Sequence, residues 1–283
     1  METEQKTLRK AFHFEGEGLH TGARAVVEVH PDAVDSGLVF VLTPPIGGEP
    51  VIVPATADNV IDTSRATVLG RCGVRVLTTE HLLSALFATG ITNARIRVEG
   101  PEVPICDGSA RGFVDAIQSA GVLPQGKPQS MLSLRDPYVV TDQDRMVAVL
   151  PASAFRVRFV ADFPEPIGTE YFYGEIDAAF YRDEISAART FGYLHEVETL
   201  RSRGLALGGS LDNAVVFAPS GPMQPLRWPN EVVRHKVLDL IGDFALLGAW
   251  PQCEIVGIKS GHELHASVTR ELRRRMLAAP AAT

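Results

Sequence analysis

An imidazole and two carboxylates recur at helical spacing in residues 230–248. His235, Asp239 and Asp243 stand four residues apart, so in a helix they occupy successive turns of one face. Carboxylates in this arrangement repel each other by roughly 0.2–0.5 kcal/mol even when exposed, which favours a compensating cation. One interpretation is a divalent metal held by His235 and Asp239. The other is a solvated polar face on which Arg234 and Lys236 balance the acids.

The same stretch has the pattern of a core helix. Pro229 and Asn230 form a start signal and Gly248 a stop signal. The opposite face carries apolar residues at helical spacing, namely Val233, Val237, Leu240, Phe244 and Leu247. We therefore expect a helix that is anchored in the core on one side and carries the polar residues on the other.

A second candidate pair, Glu80 and His81, stands at the expected start of a helix over residues 78–90. Thr78 is the predicted N-cap and Gly90 the stop signal. The pair offers one base and one metal ligand from a single turn. It lacks the two histidines four residues apart that define zincins, so that fold is excluded. The alternative is a helix-start glutamate with an incidental histidine.

The surroundings of the two stretches are alike. Each predicted helix is followed by a glycine, a strand, a glycine-containing loop and a further helix, and the second loop contains His262. We interpret the halves as copies of one helix–strand–loop–helix unit. Pseudo-symmetric packing would bring His81, His235 and Asp239 together at the interface, a common place for active sites. Two histidines and one carboxylate, with a fourth position left for water, are typical of a catalytic zinc.

The remaining pattern predicts strands and helices in both halves. Strands are expected at residues 7–14, 25–29, 38–41, 93–98, 138–140, 146–150, 155–161, 170–173 and 253–258, a hairpin at 66–77, and helices at 109–121, at 183–188 and near the C-terminus through Arg275. Residues 124–128 have the composition of a linker. We therefore expect two domains, 1–126 and 127–283.

Composition limits the partners. A chain of 283 residues exceeds the usual single-domain size, and its net charge of −7, without long charged runs, argues against a nucleic-acid surface. No apolar run reaches the length of about 18 residues that suggests a membrane span, and the first residues lack the apolar middle of a signal peptide, so a cytoplasmic location is expected. Cys72, Cys106 and Cys253 are odd in number and widely spaced, so any metal must use histidines and carboxylates.

Six motifs, in order, carry a resemblance to a known family. They are Gly-Glu-Gly-Leu-His-Thr-Gly (16–22), Thr-Thr-Glu-His-Leu (78–82), Ala-Arg-Thr-Phe-Gly-Tyr (188–193), Leu-Gly-Gly-Ser-Leu-Asp-Asn-Ala (207–214), Arg-His-Lys-Val-Leu-Asp-Leu-Ile-Gly-Asp (234–243) and Lys-Ser-Gly-His (259–262). Over nearly its whole length the chain resembles the UDP-3-O-acyl-N-acetylglucosamine deacetylases of lipid A biosynthesis. The resemblance implies the α+β class, with two similar two-layer α/β sandwich domains whose helical layers pack together around a zinc ion (Zn2+) at their interface. It also implies a small inserted sheet near 62–77 and an inserted unit near 193–225 that forms a passage for the acyl chain.

Position by position, the resemblance implies the roles of individual residues. His81, His235 and Asp239 correspond to the zinc ligands, Glu80 to the general base and His262 to the catalytic histidine. Thr190 would stabilise the oxyanion and Asp243 would keep His262 cationic. The positions that match substrate contacts are His20, Phe191 and Lys236. Those that match the acyl passage, otherwise ordinary core candidates, are Leu194, Val197, Leu200, Ala206, Ala214 and Val216.

Two departures from the family pattern lie outside the implied chemistry. Cys106 stands where the family commonly has methionine, and Ala66 where some members have cysteine. The acyl-chain length is left open, because residues that line a passage can vary without altering the motifs.

Two other functions stay open from the residues. Two histidines and a carboxylate also form the facial triad of non-haem iron oxygenases, although Glu80 beside a ligand and His262 opposite suit hydrolysis better. A catalytically silent sugar-nucleotide-binding protein would keep the same pocket. The expected partner is an acylated UDP-sugar bound by a monomer, with no nucleic acid, no stable membrane insertion and at most transient contact with a membrane surface.

Overall fold

The computed structural model describes residues 4–44 and 47–278, and its elements form two series along the chain. The first contains β1 (Glu4–Leu8), β2 (Phe12–Glu17), β3 (Arg24–Pro31), β4 (Leu38–Leu42), β5 (Val51–Pro54), β6 (Val60–Asp62), β7 (Val68–Arg71), β8 (Val74–Val76), α1 (Glu80–Ala88), β9 (Ala94–Glu99), α2 (Arg111–Ala120) and β10 (Val122–Pro128). The second contains β11 (Met131–Ser133), β12 (Tyr138–Asp142), β13 (Arg145–Pro151), β14 (Arg156–Phe163), β15 (Gly168–Glu175), α3 (Ala178–Glu184), β16 (Phe191–Tyr193), α4 (Val197–Ser202), β17 (Val215–Ala218), β18 (Gly221–Pro222), α5 (Glu231–Ala245), β19 (Trp250–Ile258) and α6 (His262–Ala278). Short 3-10 turns occur at Ala57–Asn59 and Leu194–Glu196.

Each half builds a main sheet with the same topology. The strand orders are β2-β3-β9-β4-β5 and β12-β13-β19-β14-β15, and β11 adds to β19 in the second sheet. In both sheets the central strand is antiparallel to the neighbour on one side and parallel to the neighbour on the other. The central strands β9 and β19 are also the ones that follow α1 and α5. The expected repeat and the α+β class are therefore confirmed.

The sheets are covered by helices on one face, as the residue alternation requires. In β9, Ala94, Ile96 and Val98 are buried, whereas the residues between them point to solvent. Phe113 and Ile117 of α2 are also buried and belong to the same apolar core cluster. In the second half, α5 packs against β14 and β15, and α6 packs against β13. Each half is thus a two-layer arrangement of helices on one side of a sheet.

Helices α1 and α5 pack against each other and join the two halves. Every residue of α1 is buried, and residues of both helices belong to one continuous apolar core. The helices lie close together at Gly242, where an added Cβ would lie 2.2 Å from the carbonyl oxygen of Glu80. A side chain at this position would push the two helices apart.

Two small three-stranded sheets lie outside these layers. Strands β6, β7 and β8 form one sheet, next to the start of α1, and strands β16, β17 and β18 form the other. The first contains the predicted hairpin. No helix within residues 4–44 and 47–278 combines the length and the apolar character needed to cross a lipid bilayer.

Several predicted boundaries are wrong. The predicted strand at residues 7–14 is divided into β1 and β2, because β1 pairs with β10 and β2 with β3. Residues 124–128 belong to β10 rather than to an irregular linker, and the domain boundary at residue 126 stays a prediction.

Two predicted helix starts are also wrong. Helix α3 begins at Ala178 instead of residue 183, because the Asp177 carboxylate accepts a hydrogen bond from the Phe180 amide at 2.8 Å and caps it. Thr79 rather than Thr78 occupies the N-cap position of α1, since Thr78 has a left-handed φ of 56°.

Candidate metal and catalytic site

Three of the predicted residues meet where α1 packs on α5. His81 Nε2 lies 3.8 Å and His235 Nε2 3.4 Å from Asp239 Oδ1. The three candidate ligand atoms all lie within 4.8 Å of one another, and the side chains are 4–5% exposed. The polar face of α5 is therefore buried, and its interpretation as a solvated face is wrong. The cluster can hold a metal ion.

The protonation of the cluster suits metal binding. The Nδ1–H of His235 donates to the Ala188 carbonyl oxygen at 3.1 Å, so the Nε2 lone pair faces Asp239. Burial, together with the neighbouring His235, lowers the pKa of His81 to about 3, and burial also lowers the pKa of His235. Burial alone would raise the pKa of Asp239, but the positive charges of Lys236 and His262 hold it far below its usual range. Two neutral imidazoles and one carboxylate are the forms that bind divalent zinc.

The carboxylate of Glu80 lies beside this cluster. Its Oε2 accepts a hydrogen bond from the Thr67 amide at 3.0 Å, and its Oε1 lies 4.0 Å from His262 Nε2. Burial raises the pKa of Glu80 to about 8, against the opposing effect of His262. Glu80 is therefore a carboxyl group whose protonation depends on the charges placed next to it.

His262, the first residue of α6, is oriented from behind by Asp243. Its Nδ1 lies 2.9 Å from Asp243 Oδ2, which leaves Nε2 directed towards Glu80 and Asp239. Burial alone disfavours the imidazolium, but Asp243 outweighs it and raises the pKa of His262 to about 9. Asp243 itself is 0% exposed, and the imidazole of His262 outweighs the effect of burial and lowers its pKa to about 2. His262 is therefore a cationic imidazole that is hydrogen-bonded to the buried carboxylate of Asp243.

Two neighbours of this pair, His265 and Thr67, were not predicted from the sequence. His265 Nδ1 lies 2.8 Å from Asp243 Oδ2, and its Nε2 lies 2.9 Å from Ser260 Oγ. Thr67 donates its hydroxyl to Asp243 Oδ1 at 2.5 Å and its amide to Glu80. His265 could have been found from its spacing of three residues from His262 in a helix. Thr67 comes just before a strand, and no local pattern marks it.

The predicted residue Thr190 lies on a segment held between the two halves. Its amide donates to the Gly108 carbonyl oxygen at 2.7 Å, and its carbonyl oxygen accepts from the Val215 amide at 2.8 Å. Gly108 has a φ of 85°, and an added Cβ would lie 2.0 Å from the Asn213 carbonyl oxygen. Only glycine fits there, so the loop of the first half closes directly on the segment that carries Thr190.

A buried ion pair holds the other side of this segment. Arg189 donates from Nε to Glu231 Oε1 at 2.8 Å and from its amide to the same atom at 3.1 Å. The Arg227 amide donates to Glu231 Oε2 at 2.6 Å. Burial opposes the charge on Glu231, but the bonds from Arg189 and Arg227 keep its pKa below its usual range. The pair ties the segment to the first turn of α5 and was not predicted from the sequence.

The predicted polar and substrate-contacting residues share one cavity of about 420 Å³. Its walls include Glu80, His81, His235, Asp239, His262, Thr190, His20, Phe191 and Lys236. Lys236 Nζ also donates to Asp239 Oδ2 at 2.7 Å, although burial opposes its charge. Asp243 lies behind His262 and does not line the cavity. Arg65 and Phe163 line it too and were missed, because neither stands in a recognisable motif.

A second cavity of about 400 Å³ adjoins the first and shares His20, Thr190 and Phe191 with it. All six residues expected along an acyl passage lie on its walls, namely Leu194, Val197, Leu200, Ala206, Ala214 and Val216. Leu194 is 45% exposed, so it is not a core residue. The polar site thus opens onto a largely apolar passage.

Comparison with known proteins gives consistent matches. The family model of UDP-3-O-acyl N-acetylglycosamine deacetylase matches residues 5–274. A relative from Myxococcus xanthus is 45% identical over 272 residues, which is 95% of this chain and 86% of the relative. A relative from Syntrophotalea carbinolica is 42% identical, over 95% of this chain and 87% of the relative. Another from Teredinibacter turnerae is 44% identical, over 96% of this chain and 90% of the relative. All three relatives are named UDP-3-O-acyl-N-acetylglucosamine deacetylase.

Proposed function

The chain belongs to the UDP-3-O-acyl-N-acetylglucosamine deacetylase family, and from that premise we propose how its own residues carry out the reaction. The enzyme is a hydrolase of lipid A biosynthesis that removes the N-acetyl group of UDP-3-O-acyl-N-acetylglucosamine, giving the free amine and acetate. The observation that supports this most is the meeting of a metal-type donor set, a carboxylate and a cationic histidine in one cavity that opens onto an apolar passage.

The proposed cofactor is zinc, held by His81, His235 and Asp239. The donor set fits, because two neutral imidazoles and one carboxylate leave a position open, as in catalytic rather than structural zinc sites. The bond from His235 Nδ1 to the Ala188 carbonyl supports it, since ligating histidines donate their other ring nitrogen in this way. When bound, zinc supplies a Lewis acid that polarises the acetamide carbonyl and acidifies water, and its charge favours the ionised form of Glu80.

Glu80 is the proposed general base. The Thr67 amide fixes its Oε2, so Oε1 is the atom that takes the proton from the attacking water. Glu80 is 3% exposed, so it is largely shielded from bulk solvent. Glu80 directly precedes His81 in the first turn of α1, so the base is placed beside the metal site by one turn of helix.

His262 is the proposed general acid. Its Nδ1–H donates to Asp243, and its Nε2–H points towards the cavity, where it stabilises the developing charge on the carbonyl oxygen and then protonates the leaving amine. Asp243 keeps the imidazole cationic and correctly oriented, as its effect on the pKa indicates. Asp243 acts through His262 rather than on the substrate.

The other walls of the cavities are proposed to bind the substrate. Thr190 offers a hydroxyl to the carbonyl oxygen, and Lys236 and His20 offer polar contacts to the sugar nucleotide. Phe191 separates the polar cavity from the apolar passage by lining both. The acyl chain occupies the passage, where each buried methylene contributes about 0.8 kcal/mol.

The proposed working form is a monomer in the cytoplasm. Each proposed site residue comes from a single chain, so no second copy is needed to complete the site. Cys72, Cys106 and Cys253 are free thiols, which fits a reducing compartment.

Acetate release from UDP-3-O-acyl-N-acetylglucosamine tests the proposal. We expect activity that is lost after chelation and returns when zinc is added up to one equivalent. Glu80→Gln is the control, because it should keep the zinc content while losing most of the rate. A wild-type enzyme that releases no acetate at any zinc content would refute the reaction, and one restored only by another metal would refute the cofactor.

A further inference from the structure

A buried carboxylate outside the assigned residues connects two parts of the site. Glu102 is 0% exposed and lies between β9 and α2. Its Oε1 accepts from the His20 amide at 3.0 Å and the Thr78 hydroxyl at 2.6 Å. Its Oε2 accepts from the Thr21 amide at 2.9 Å and the Thr21 hydroxyl at 2.8 Å. A buried carboxylate is costly unless donors satisfy it, so these bonds fix the groups that make them.

The first connection is to the start of α1. Thr78 has a φ of 56°, a left-handed conformation that β-branched residues rarely adopt. The hydrogen bond from its hydroxyl to Glu102 stabilises this conformation. Thr78 lies two residues before Glu80 and lines the same cavity, so its conformation sets the direction in which the first turn of α1 enters the site.

The second connection is to the glycine-rich loop at residues 18–22. An added Cβ at Gly18 would lie 2.3 Å from Glu102 Oε2, so only glycine lets the carboxylate approach the loop this closely. The loop in turn holds the inserted unit of the second half. The carbonyl oxygens of Leu19 and His20 accept from the amides of Gly208 and Leu207, both at 3.1 Å.

These loop contacts build one wall of the apolar passage. Leu19 and His20 line the passage from the first half, and Ala206 and Gly209 line it from the second. An added Cβ at Gly208 would lie 2.3 Å from the Gly18 carbonyl oxygen, so the two backbones are in direct contact. The passage wall therefore depends on the loop, and the loop depends on Glu102.

We propose that Glu102 is a positioning residue that aligns the first turn of α1 with the wall of the acyl passage. It contacts no substrate and acts through Thr78 on one side and through the 18–22 loop on the other. The inference rests on the function proposed above. It adds that the loop connection determines how well the acyl chain is held, while the helix connection determines the rate of the chemical step.

Three single variants separate these connections. Thr21→Val removes a hydroxyl from the loop connection, Thr78→Val removes one from the helix connection, and Glu102→Gln keeps the volume but removes the charge. Thr7→Val is the matched control. Like Thr78, Thr7 is buried in the first half. It donates its hydroxyl to the Asn93 carbonyl oxygen at 2.7 Å, but neither Thr7 nor Asn93 lines the two cavities.

The assay compares kcat and KM for acetate release from UDP-3-O-acyl-N-acetylglucosamine with a long acyl chain and with an acetyl group in its place. Thr21→Val should lower kcat/KM about tenfold for the long-chain substrate, mainly through KM, and leave the short-chain value unchanged. Thr78→Val should lower kcat by the same factor for both substrates without changing KM. Glu102→Gln should show both effects, and Thr7→Val neither.

Hydrogen exchange gives a second readout that needs no substrate. The amides of Leu207 and Gly208 should exchange faster in Thr21→Val and Glu102→Gln than in wild type or Thr7→Val, because their acceptors belong to the loop. The inference is wrong, although the proposed function stands, if Thr21→Val lowers kcat/KM equally for both substrates or for neither. It is also wrong if Thr7→Val lowers kcat/KM for the long-chain substrate as Thr21→Val does. A wild type that releases no acetate from either substrate would refute the proposed function, and this inference with it.

Discussion

Gly242→Ala tests whether the spacing of the two central helices controls the site. An added Cβ at Gly242 would lie 2.2 Å from the carbonyl oxygen and 2.9 Å from the Cα of Glu80. Ordinary contact begins at 3.4 Å, so the helices must separate by 3.4 − 2.2 = 1.2 Å along that contact. The opposing atoms are backbone and cannot rotate away. The displacement therefore moves Glu80 and His81 on α1 relative to His235 and Asp239 on α5.

The sign of the stability change is informative. Alanine in a helix interior is normally favoured over glycine by about 1 kcal/mol, so this substitution would stabilise the protein if the added Cβ met no neighbour. Overpacking of a tight contact costs about 1–3 kcal/mol. Because the added Cβ overlaps backbone atoms, we expect an overpacking cost in the upper part of that range. After subtraction of the alanine gain, the free energy of unfolding should fall by about 2 kcal/mol. A shift of about 1 Å between base and ligands should lower kcat about 10²-fold.

Gly112→Ala in α2 is the matched control. Its added Cβ would lie 3.6 Å from the Phe14 ring, an ordinary contact. The free energy of unfolding of this variant should rise by about 0.5–1 kcal/mol, and its activity should equal that of the wild type. Denaturant unfolding, acetate release and zinc content would be measured for both. A Gly242→Ala enzyme that is as stable and as active as Gly112→Ala would refute the argument that this close approach sets the site.

Three further predictions concern single residues. Asp239→Ala should lose zinc, measured by metal analysis of the purified protein, and full occupancy would overturn the ligand set. His262→Ala should keep zinc but lose about 10²–10⁴ in kcat, and loss of the metal as well would mean that its role is wrong. Burial raises the pKa of Glu231, but the bonds from Arg189 outweigh burial and lower the folded-state pKa below its usual value. The stability that this pair contributes is therefore present above the unfolded-state pKa of about 4.3 and is lost as the pH falls through the folded-state pKa. The difference in unfolding free energy between wild type and Glu231→Gln should therefore narrow from pH 7 towards pH 3, and a constant difference would contradict this.

Two of the wrong predictions arose because a local sequence signal fits more than one structure. Residues 124–128 contain two prolines and a glycine, a composition typical of a linker, but they belong to β10, whose one strand partner among the described residues is β1. Proline is tolerated in a strand whose other edge is unpaired, so composition could not exclude a strand there. The start of α3 was missed because its signal is a single capping aspartate, Asp177, which also fits a turn.

Local spacing by itself determined much of the site. The turns of α5 bring His235, Asp239 and Asp243 onto one face whatever surrounds the helix, and the same geometry places Glu80 beside His81. The repeated order of helix, strand, loop and helix was also sufficient to predict that the two faces would meet. These features follow from backbone geometry over a few residues, which the sequence specifies directly.

Only the tertiary structure decided how the parts are held in register. The close approach at Gly242, the contact of Gly108 with the segment of Thr190, and the position of Glu102 between α1 and the glycine-rich loop each join residues far apart in the chain. Such contacts depend on close packing between separate elements. No periodicity within one element encodes them, because each depends on the shape of both partners at once.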